Sequence, residues 1–370
     1  MDVISKLIKY VIKKIEMDCS ELIPVLVMVI VQLGYAGVNI IGTAVMGAGM
    51  NPFIHIAYQQ IFGSLVITPL AFFMERNTRP KMTLRIFFQI FMSSLFGLTG
   101  DQTAYFVGLK HSTPTIATAL ANLIPAVTFI MAVLFRLERV GLRTKAGKAK
   151  ILGTLICIGG AMLLSLYRGG VVIGQSSINW KYAKNTVDKN SSCNTSSSHG
   201  DLLLGPFMVL LSVLFYAAFL ITQTRLGKEY GAPYSSTAIA CVLASIECVT
   251  IAVSTDHNIS DWALTPMRAV STVYNGVVYS ALAILLTSWC VERKGPLYVA
   301  VFNPLLLVFT AILSWAFLRE TIHTGTVLGS ILIIAGLYVV LLGKKKEVDV
   351  IKVEEDKLKE AHKSEGGQEC

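Results

Sequence analysis

The sequence predicts an all-α, multi-pass membrane protein, and three observations support this fold class. Hydrophobic residues make up 54% of the 370 residues and charged residues only 15%, compared with about 25% charged residues in a typical soluble domain. The mean hydropathy is +0.62. Charged residues are also absent from stretches of about 20 residues, the length that a helix needs to cross a bilayer. The two or three soluble domains that the length alone suggests are therefore excluded.

The stretches that have no charged residue, or a single one, divide into ten predicted spans. Two lie within residues 22–73 and are separated by the turn-rich segment Met46-Gly-Ala-Gly-Met-Asn-Pro52. The other eight are residues 86–107, 113–135, 151–167, 202–224, 231–255, 269–291, 295–318 and 324–343. A closed β-barrel would show short alternating strands instead of such continuous apolar runs.

The distribution of basic residues predicts that both termini lie in the cytoplasm. With this orientation the cytoplasmic segments hold 25 of the 32 lysines and arginines, and the opposite side holds seven. Glycosylation sequons at Asn190, Asn194 and Asn258 all fall on that opposite side. The net charge of +9 is then explained by loops that face anionic lipid, and nucleic-acid binding is not expected.

Composition divides the chain into five regions. Residues 1–20 are basic and amphipathic, and they form either a helix on the inner membrane surface or a polar leader. Residues 21–168 and residues 201–343 hold five spans each. Residues 169–200 are predicted to be a flexible extracytoplasmic loop, and residues 344–370 a charged, disordered cytoplasmic tail.

The two five-span halves resemble each other at an offset of 182 residues. The matched pairs include Glu138 with Glu320 and Gly147 with Gly329. Because each half has an odd number of spans, the second half is inverted in the membrane. Inverted repeats are typical of transporters that work by alternating access, with the solute held between the halves near the midplane. The sequence therefore predicts two inverted five-helix repeats.

An asparagine close to a proline marks the fourth and the ninth span. These pairs are Asn122 with Pro125 and Asn303 with Pro304. A proline leaves a carbonyl of the preceding turn without its amide partner, and the asparagine supplies donors and acceptors beside it. The pattern predicts a substrate site between the halves. A hydrogen-bonded helix kink is the alternative.

Other polar or aromatic residues are expected to line the same cavity. Tyr105 lies one turn after Asp101 on the same helix face, and Gln32 and Asn39 lie two turns apart. Contacts between helices are the alternative for these residues, as is a place in the interfacial aromatic belt for Trp289. The additional predicted substrate-binding residues are Asp101, Gln102, Tyr105, Gln32, Asn39, Gln59 and Trp289.

Two carboxylates, Asp101 and Glu247, lie inside predicted spans. An ionised carboxylate near the bilayer centre is costly, so it faces water, finds a partner or stays protonated. None of the ten spans contains a lysine or an arginine to neutralise it. We hypothesise that Glu247, and Asp101 with it, couples transport to protons. A neutral structural Glu247 and an Asp101 that merely contacts water are the alternatives.

The sequence lacks the motifs of an enzyme, a metal site or an ATP-driven pump. It contains no phosphate-binding Gly-Lys-Ser loop, no His-Glu-x-x-His and no nucleophile elbow. Its seven cysteines show no metal spacing, and its longest soluble segment is too short for a nucleotide domain. The expected partners are a small solute and the lipid bilayer, without cofactor, nucleic acid or ATP. The oligomeric state stays open.

Several motifs resemble the plant nodulin-21-like family, also called walls-are-thin-related, within the EamA branch of the drug/metabolite transporter superfamily. They are Asp101-Gln-Thr-Ala-Tyr-Phe-Val-Gly-Leu-Lys110, Ala121-Asn-Leu-Ile-Pro-Ala-Val-Thr-Phe129, Trp289-Cys-Val-Glu-Arg-Lys-Gly-Pro296, Phe302-Asn-Pro-Leu305 and Gly336-Leu-Tyr-Val-Val-Leu-Leu-Gly-Lys344. The resemblance implies two inverted EamA repeats and transport of small organic solutes. Members move amino acids in both directions, and a few carry auxin. It also implies cavity positions at Asp101, Gln102, Asn122 and Asn303.

Two positions depart from the pattern of that family. Gln59 stands where members commonly carry a basic residue, and Glu247 stands where they usually carry a neutral one. Both differences are expected to shift preference away from anionic solutes. The sequence thus predicts a secondary transporter or facilitator of amino acids or related metabolites. An auxin carrier and a non-transporting membrane sensor or scaffold are the alternatives. We expect it in the plasma membrane, with the vacuole or another endomembrane as alternatives.

Overall fold

A computed structural model describes residues 2–47, 49–77, 79–111, 114–137, 144–167, 169–174, 199–255, 262–318 and 321–365. The helices are α1 (Asp2–Gly47), α2 (Pro52–Glu75), α3 (Leu84–Ser93), α4 (Asp101–Lys110), α5 (Pro114–Ala121), α6 (Ile124–Leu134), α7 (Lys145–Leu166), α8 (His199–Tyr230), α9 (Pro233–Thr255), α10 (Pro266–Asn275), α11 (Ile284–Lys294), α12 (Pro296–Leu318) and α13 (Thr324–Glu365). Strand β1 (Val171–Ile173) pairs antiparallel with β2 (Ile322–His323).

Two π-helical segments join shorter helices into continuous ones. Segment π1 (Ser94–Gly100) joins α3 to α4, and segment π2 (Gly276–Ala283) joins α10 to α11. They begin 182 residues apart, which is the offset of the sequence repeat. A π segment widens one helical turn by an extra residue and is frequent at functional sites. Each half of the chain therefore carries this irregularity in its third predicted span.

Eight helical stretches of the described chain are long and apolar enough to cross a membrane, so the prediction of a helical, multi-pass membrane protein is confirmed. They are Leu22–Met46, Pro52–Glu75, Ala146–Leu166, Leu204–Tyr230, Pro233–Thr255, Pro266–Lys294, Pro296–Phe317 and Thr324–Lys344. The third predicted span is the continuous run of α3, π1 and α4, and the fourth is divided between α5 and α6. Ten spans and the orientation in the membrane stay predictions.

The two asparagine–proline elements, which the sequence presents as alike, have different backbones. The chain leaves the α-helical course at Asn122 and Leu123, and Pro125 lies in the first turn of α6, where its missing amide removes no hydrogen bond. Pro304 instead lies inside α12, which continues to Leu318. Buried neighbours such as Phe302 and Leu305 pack α12 on both sides of its proline. Tertiary packing therefore keeps one of these helices continuous.

Helices α7 and α13 run antiparallel in close contact. An added Cβ on Gly153 would lie 2.7 Å from the carbonyl oxygen of Gly336, and one on Gly160 would lie 2.9 Å from that of Gly329. A step of seven residues towards the C-terminus on α7 thus corresponds to a step of seven residues towards the N-terminus on α13, as expected for antiparallel helices. Glycine permits this approach because it has no side chain at the contact. These helices are the fifth and the tenth predicted span.

Helices α2 and α9, the second and the seventh span, also run antiparallel. Glu75 at the end of α2 accepts hydrogen bonds from the backbone amides of Tyr234, at 3.0 Å, and Ser235, at 2.7 Å, at the start of α9. At the other end, Ile54 and Ala252 belong to one apolar cluster. Other helices pack on the opposite half of the chain. Helix α1 packs on α12 and on π2, whereas α8 packs on α5, α6 and π1.

The C-terminal tail continues the last helix. Helix α13 extends as far as Glu365, and the disorder of the tail stays a prediction. Lysine, glutamate and leucine are strong helix formers, and pairs such as Glu355 and Lys359 are spaced to support a helix. Helix α1 begins at Asp2, and the surface position of residues 1–20 stays a prediction. The three sequons, Glu138 and Glu320 lie outside the described residues.

Candidate functional site

Asp101 stands where π1 ends and α4 begins, and it contacts the second half of the chain. The hydroxyl of Ser212, on α8, donates a hydrogen bond of 2.6 Å to the Asp101 carboxylate. Ser212 is buried, and sequence reasoning missed it because serine is common in such spans. The contact places a predicted substrate-binding residue between the halves.

Gln32 and Asn303 form a second contact between the halves. The Gln32 side chain is 1% exposed, and its Nε2 donates to Oδ1 of Asn303 at 3.2 Å. The other Gln32 amide atom, Oε1, is buried without a hydrogen-bond partner among the described residues. The structure therefore brings together two predicted site residues that lie 271 positions apart.

Gln59 and Gln102 approach each other beside Asp101. Their amides are 3.5 Å apart, from Nε2 of Gln59 to Oε1 of Gln102, which is a long hydrogen bond. Nε2 of Gln102 is buried and has no partner in the described part of the chain. Among the described residues, Gln32 thus offers an unused acceptor and Gln102 an unused donor.

Three tyrosines that the sequence analysis did not select belong to the same region. The hydroxyl of Tyr216 lies near the side chain of Asn303, and that of Tyr279 near the side chain of Gln102. The ring of Tyr35 lies 5.0 Å from that of Tyr279. The sequence does contain a signal for Tyr35. This residue follows Gln32 by three positions and therefore shares its helix face. A tyrosine inside a span also needs a hydrogen-bond partner for its hydroxyl, and this requirement makes it a candidate for a polar site.

Glu247 occupies a separate polar site on the other side of π1. Its Oε2 accepts hydrogen bonds from the hydroxyls of Thr99, at 2.6 Å, and Ser94, at 3.3 Å. Oε1 is buried and has no partner among the described residues. Ser94 is the first residue of π1 and Thr99 is the sixth. The carboxylate therefore connects both ends of π1 to α9.

The structure does not bring four of the predicted site residues into these contacts: Asn122, Pro125, Asn39 and Trp289. Asn122 is buried, as is Pro125, but the Asn122 amide donates to Ser165 on α7 at 3.2 Å. Asn39 is exposed, unlike Gln32 on the same helix. The guanidinium of Arg293 lies over the ring of Trp289 at 4.3 Å. This contact covers one face of that ring.

The chemistry of the site is that of polar recognition. In the described part of the chain, no group of three or more His, Cys, Asp and Glu side chains could hold a metal ion. The amides, hydroxyls and carboxylate lie in the interior, and they come from both halves of the chain. Such an arrangement can hold a small polar solute between the two halves.

Comparisons with known proteins agree with this architecture. The EamA-like transporter family matches residues 22–166 and, a second time, residues 203–342. A WAT1-related protein of Arabidopsis thaliana is 34% identical over 333 residues, which cover 88% of this chain and 82% of the relative. Another is 36% identical over 326 residues, covering 88% and 85%. A crystal structure at 14% identity has a TM-score of 0.66 and covers 87% of this chain and 98% of its own; this likeness concerns the fold alone.

Proposed function

Because the chain belongs to the EamA-like transporter family, and is thus a multi-pass membrane transporter of small solutes, we propose that it carries amino acids or related metabolites by alternating access. The observation that carries this proposal is the polar cluster between the halves. It contains the Gln32–Asn303 and Asp101–Ser212 contacts. Buried amides with unused hydrogen-bonding atoms are costly unless a ligand or water uses them.

Alternating access requires two halves that can exchange roles. Helices α7 and α13 are antiparallel, and so are α2 and α9. Each pair consists of equivalent helices from the two halves, which supports an inverted repeat. We propose that α3–π1–α4 and α5–α6 complete the set of ten spans. With both termini in the cytoplasm, the inner side carries most of the basic residues.

Proton coupling is the second element of the proposal, and we assign it to Glu247, with Asp101 as the other intramembrane carboxylate. Glu247 is bonded only to hydroxyls in the described part of the chain, and its Oε1 is unused. A proton on the unused Oε1 would make that oxygen a donor and leave Oε2 a weaker, uncharged acceptor. The hydrogen bonds at both ends of π1 would then change.

The test is uptake of a panel of solutes by liposomes that contain the purified full chain, with and without a pH gradient. We expect uptake of amino acids above that of empty liposomes, and stimulation by an inward proton gradient. The Glu247→Gln variant keeps an acceptor for Thr99 but cannot ionise, so its uptake should lose the dependence on pH. An unchanged pH profile in this variant would exclude Glu247 as the coupling residue. Absence of flux for the whole panel would instead favour a sensor or scaffold.

We propose the plasma membrane as the site of action. A fluorescent fusion of the full chain, imaged with markers of the plasma membrane and of the vacuole, tests this assignment. Exclusive overlap with the vacuolar marker would contradict it.

A further inference from the structure

Aromatic residues lie one helical turn from the hydrogen bond between Asp101 and Ser212. Tyr105 follows Asp101 by four positions on α4, and Tyr216 follows Ser212 by four positions on α8. Residues four apart lie on the same face of a helix. The 2.6 Å hydrogen bond holds α4 and α8 together at this point. Both tyrosines therefore belong to the surroundings of the carboxylate.

Two further tyrosines reach the same carboxylate from other helices. The hydroxyl of Tyr279, on π2, lies near the side chain of Gln102, which adjoins Asp101. The ring of Tyr35, on α1, lies 5.0 Å from that of Tyr279. The hydroxyls of all four tyrosines lie within electrostatic range of Asp101. Tyrosines from both halves therefore lie in the neighbourhood of this carboxylate.

The predicted spans supply no positive charge to this environment. No lysine or arginine occurs in any of the ten predicted spans. The described hydrogen-bond partner of Asp101 is a neutral hydroxyl. A carboxylate away from water needs a counter-charge or a proton. The faces of tyrosine rings attract cations, because the quadrupole of the ring is negative there.

We propose that Asp101, Tyr35, Tyr105, Tyr216 and Tyr279 form a site for the ammonium group of the transported solute. This inference rests on the proposed transport function and specifies the substrate class. Both amines without a carboxylate and zwitterionic amino acids should be carried, whereas organic anions should be rejected. An anion would meet the Asp101 carboxylate and the negative ring faces with no cation to offset them.

Two neighbouring amides explain how a zwitterion would also be accepted. The unused Oε1 of Gln32 can accept a hydrogen bond from an ammonium group. The unused Nε2 of Gln102 can donate one to a solute carboxylate. These single neutral bonds are weaker than a charge-assisted bond to Asp101. The ammonium group is therefore the required part of the solute.

Three solutes with the same indole ring separate these requirements. Tryptamine carries the ammonium group alone, tryptophan carries both charges, and indole-3-acetate carries the carboxylate alone. Uptake of each labelled solute is measured in liposomes containing the full wild-type chain. We expect uptake of tryptamine and tryptophan, and little uptake of indole-3-acetate. Uptake of indole-3-acetate equal to or above that of tryptamine would overturn the proposal.

The Asp101→Asn variant tests the carboxylate itself. Asparagine keeps the size of the side chain and an acceptor for Ser212 but removes the charge. Uptake of tryptamine should fall about tenfold or more, as expected for a lost hydrogen bond to a charged group. The matched control is Glu229→Gln, which neutralises a carboxylate that pairs with Arg85 at 3.4 Å on the surface. It should leave uptake of all three solutes unchanged.

The outcomes separate this proposal from the proposed function. If Asp101→Asn folds and carries tryptamine like wild type, the ammonium site is excluded and the transport function stands. If the wild-type chain moves only solutes without an ammonium group, the ammonium site and the amino-acid part of the proposed function are both excluded, and membrane transport of other solutes stands. If it moves no solute of a broad panel, both proposals fail. Should Asp101→Asn not fold, the order of uptake in the wild-type chain decides.

Discussion

The two π-helical segments occupy equivalent places in the two halves, but their neighbours hold them in different ways. Segment π1 contacts α9, where Glu247 accepts hydrogen bonds from its hydroxyls at Ser94 and Thr99. Segment π2 contacts α2, where Gly276 lies so close that an added Cβ would be 2.8 Å from the carbonyl oxygen of Gln59. One segment is held by a group that can titrate, and the other by close backbone packing.

This difference gives the contacts of the two π segments different chemistry. Backbone packing between glycines does not respond to pH, whereas a carboxylate that accepts two hydroxyl bonds does. Asp101 directly follows π1. Under the proposed proton coupling, a change at Glu247 would reach π1 and, next to it, Asp101. In that proposal π1 is the responding segment and π2 its rigid counterpart.

The largest effect is expected from filling the contact at π2. In Gly63→Val, the added side chain would clash with the Cβ of Ser280 and would come within 3.1 Å of the carbonyl oxygen of Gly276. Overpacking of this kind costs about 1–3 kcal/mol or more, so the melting temperature in detergent should fall strongly.

The control for this variant is Gly159→Ala, because an added Cβ at Gly159 meets nothing within 4 Å. Alanine at this helical position should be neutral or stabilising by up to about 1 kcal/mol. Equal melting temperatures for the two variants would show that close packing does not hold π2.

A smaller effect is expected at π1. Thr99→Val removes the shorter hydroxyl bond, of 2.6 Å, to Glu247. A buried acceptor that loses its donor costs about 1–3 kcal/mol, and the melting temperature should fall accordingly. Ser94→Ala is the matched variant, because it removes the longer bond of 3.3 Å to the same oxygen. It should destabilise less, and the reverse order would contradict the assignment of Thr99 as the main partner.

The smallest effect is expected at one end of the contact between α2 and α9. Helix α2 packs on π2, and helix α9 packs on π1. Glu75→Ala removes the carboxylate that accepts the amides of Tyr234 and Ser235 at the start of α9. Loss of such a cap costs about 0.5–2 kcal/mol. Glu75→Gln keeps an acceptor and should retain part of this stability in the same melting assay. Equal loss in the two variants would show that the negative charge, rather than the hydrogen bond, stabilises α9.

Part of the polar core could be predicted from the sequence. Asp101 and Glu247 stand out because their spans are otherwise free of charge. Gln32 and Asn303 stand out as polar residues in apolar helices, and the structure joins them at 3.2 Å. The serine and threonine partners of both carboxylates could not be selected in this way, because hydroxyl side chains occur in nearly every span. Only the packing of one helix on another identifies which of them is the donor.

The structure also shows that one local pattern has more than one tertiary outcome. Asn122 and Asn303 share a motif with proline, but Asn122 bonds to Ser165 within its own half, whereas Asn303 bonds to Gln32 across the halves. Gln32 and Asn39 share a helix face, yet one is buried and the other exposed. Helical spacing predicts which residues point the same way. It does not predict what lies opposite them.

The sequence by itself determined the class of the protein, because the lengths of its uncharged stretches and the distribution of its lysines and arginines are properties of the chain as written. It also determined the doubled organisation, since the 182-residue offset is present in the residues themselves. Only the tertiary structure decided which side chains meet, because contacts between helices depend on rotation and close approach. The tyrosines around Asp101 and the hydroxyls that bind Glu247 come from separate helices, and the packing of the halves assembles both groups.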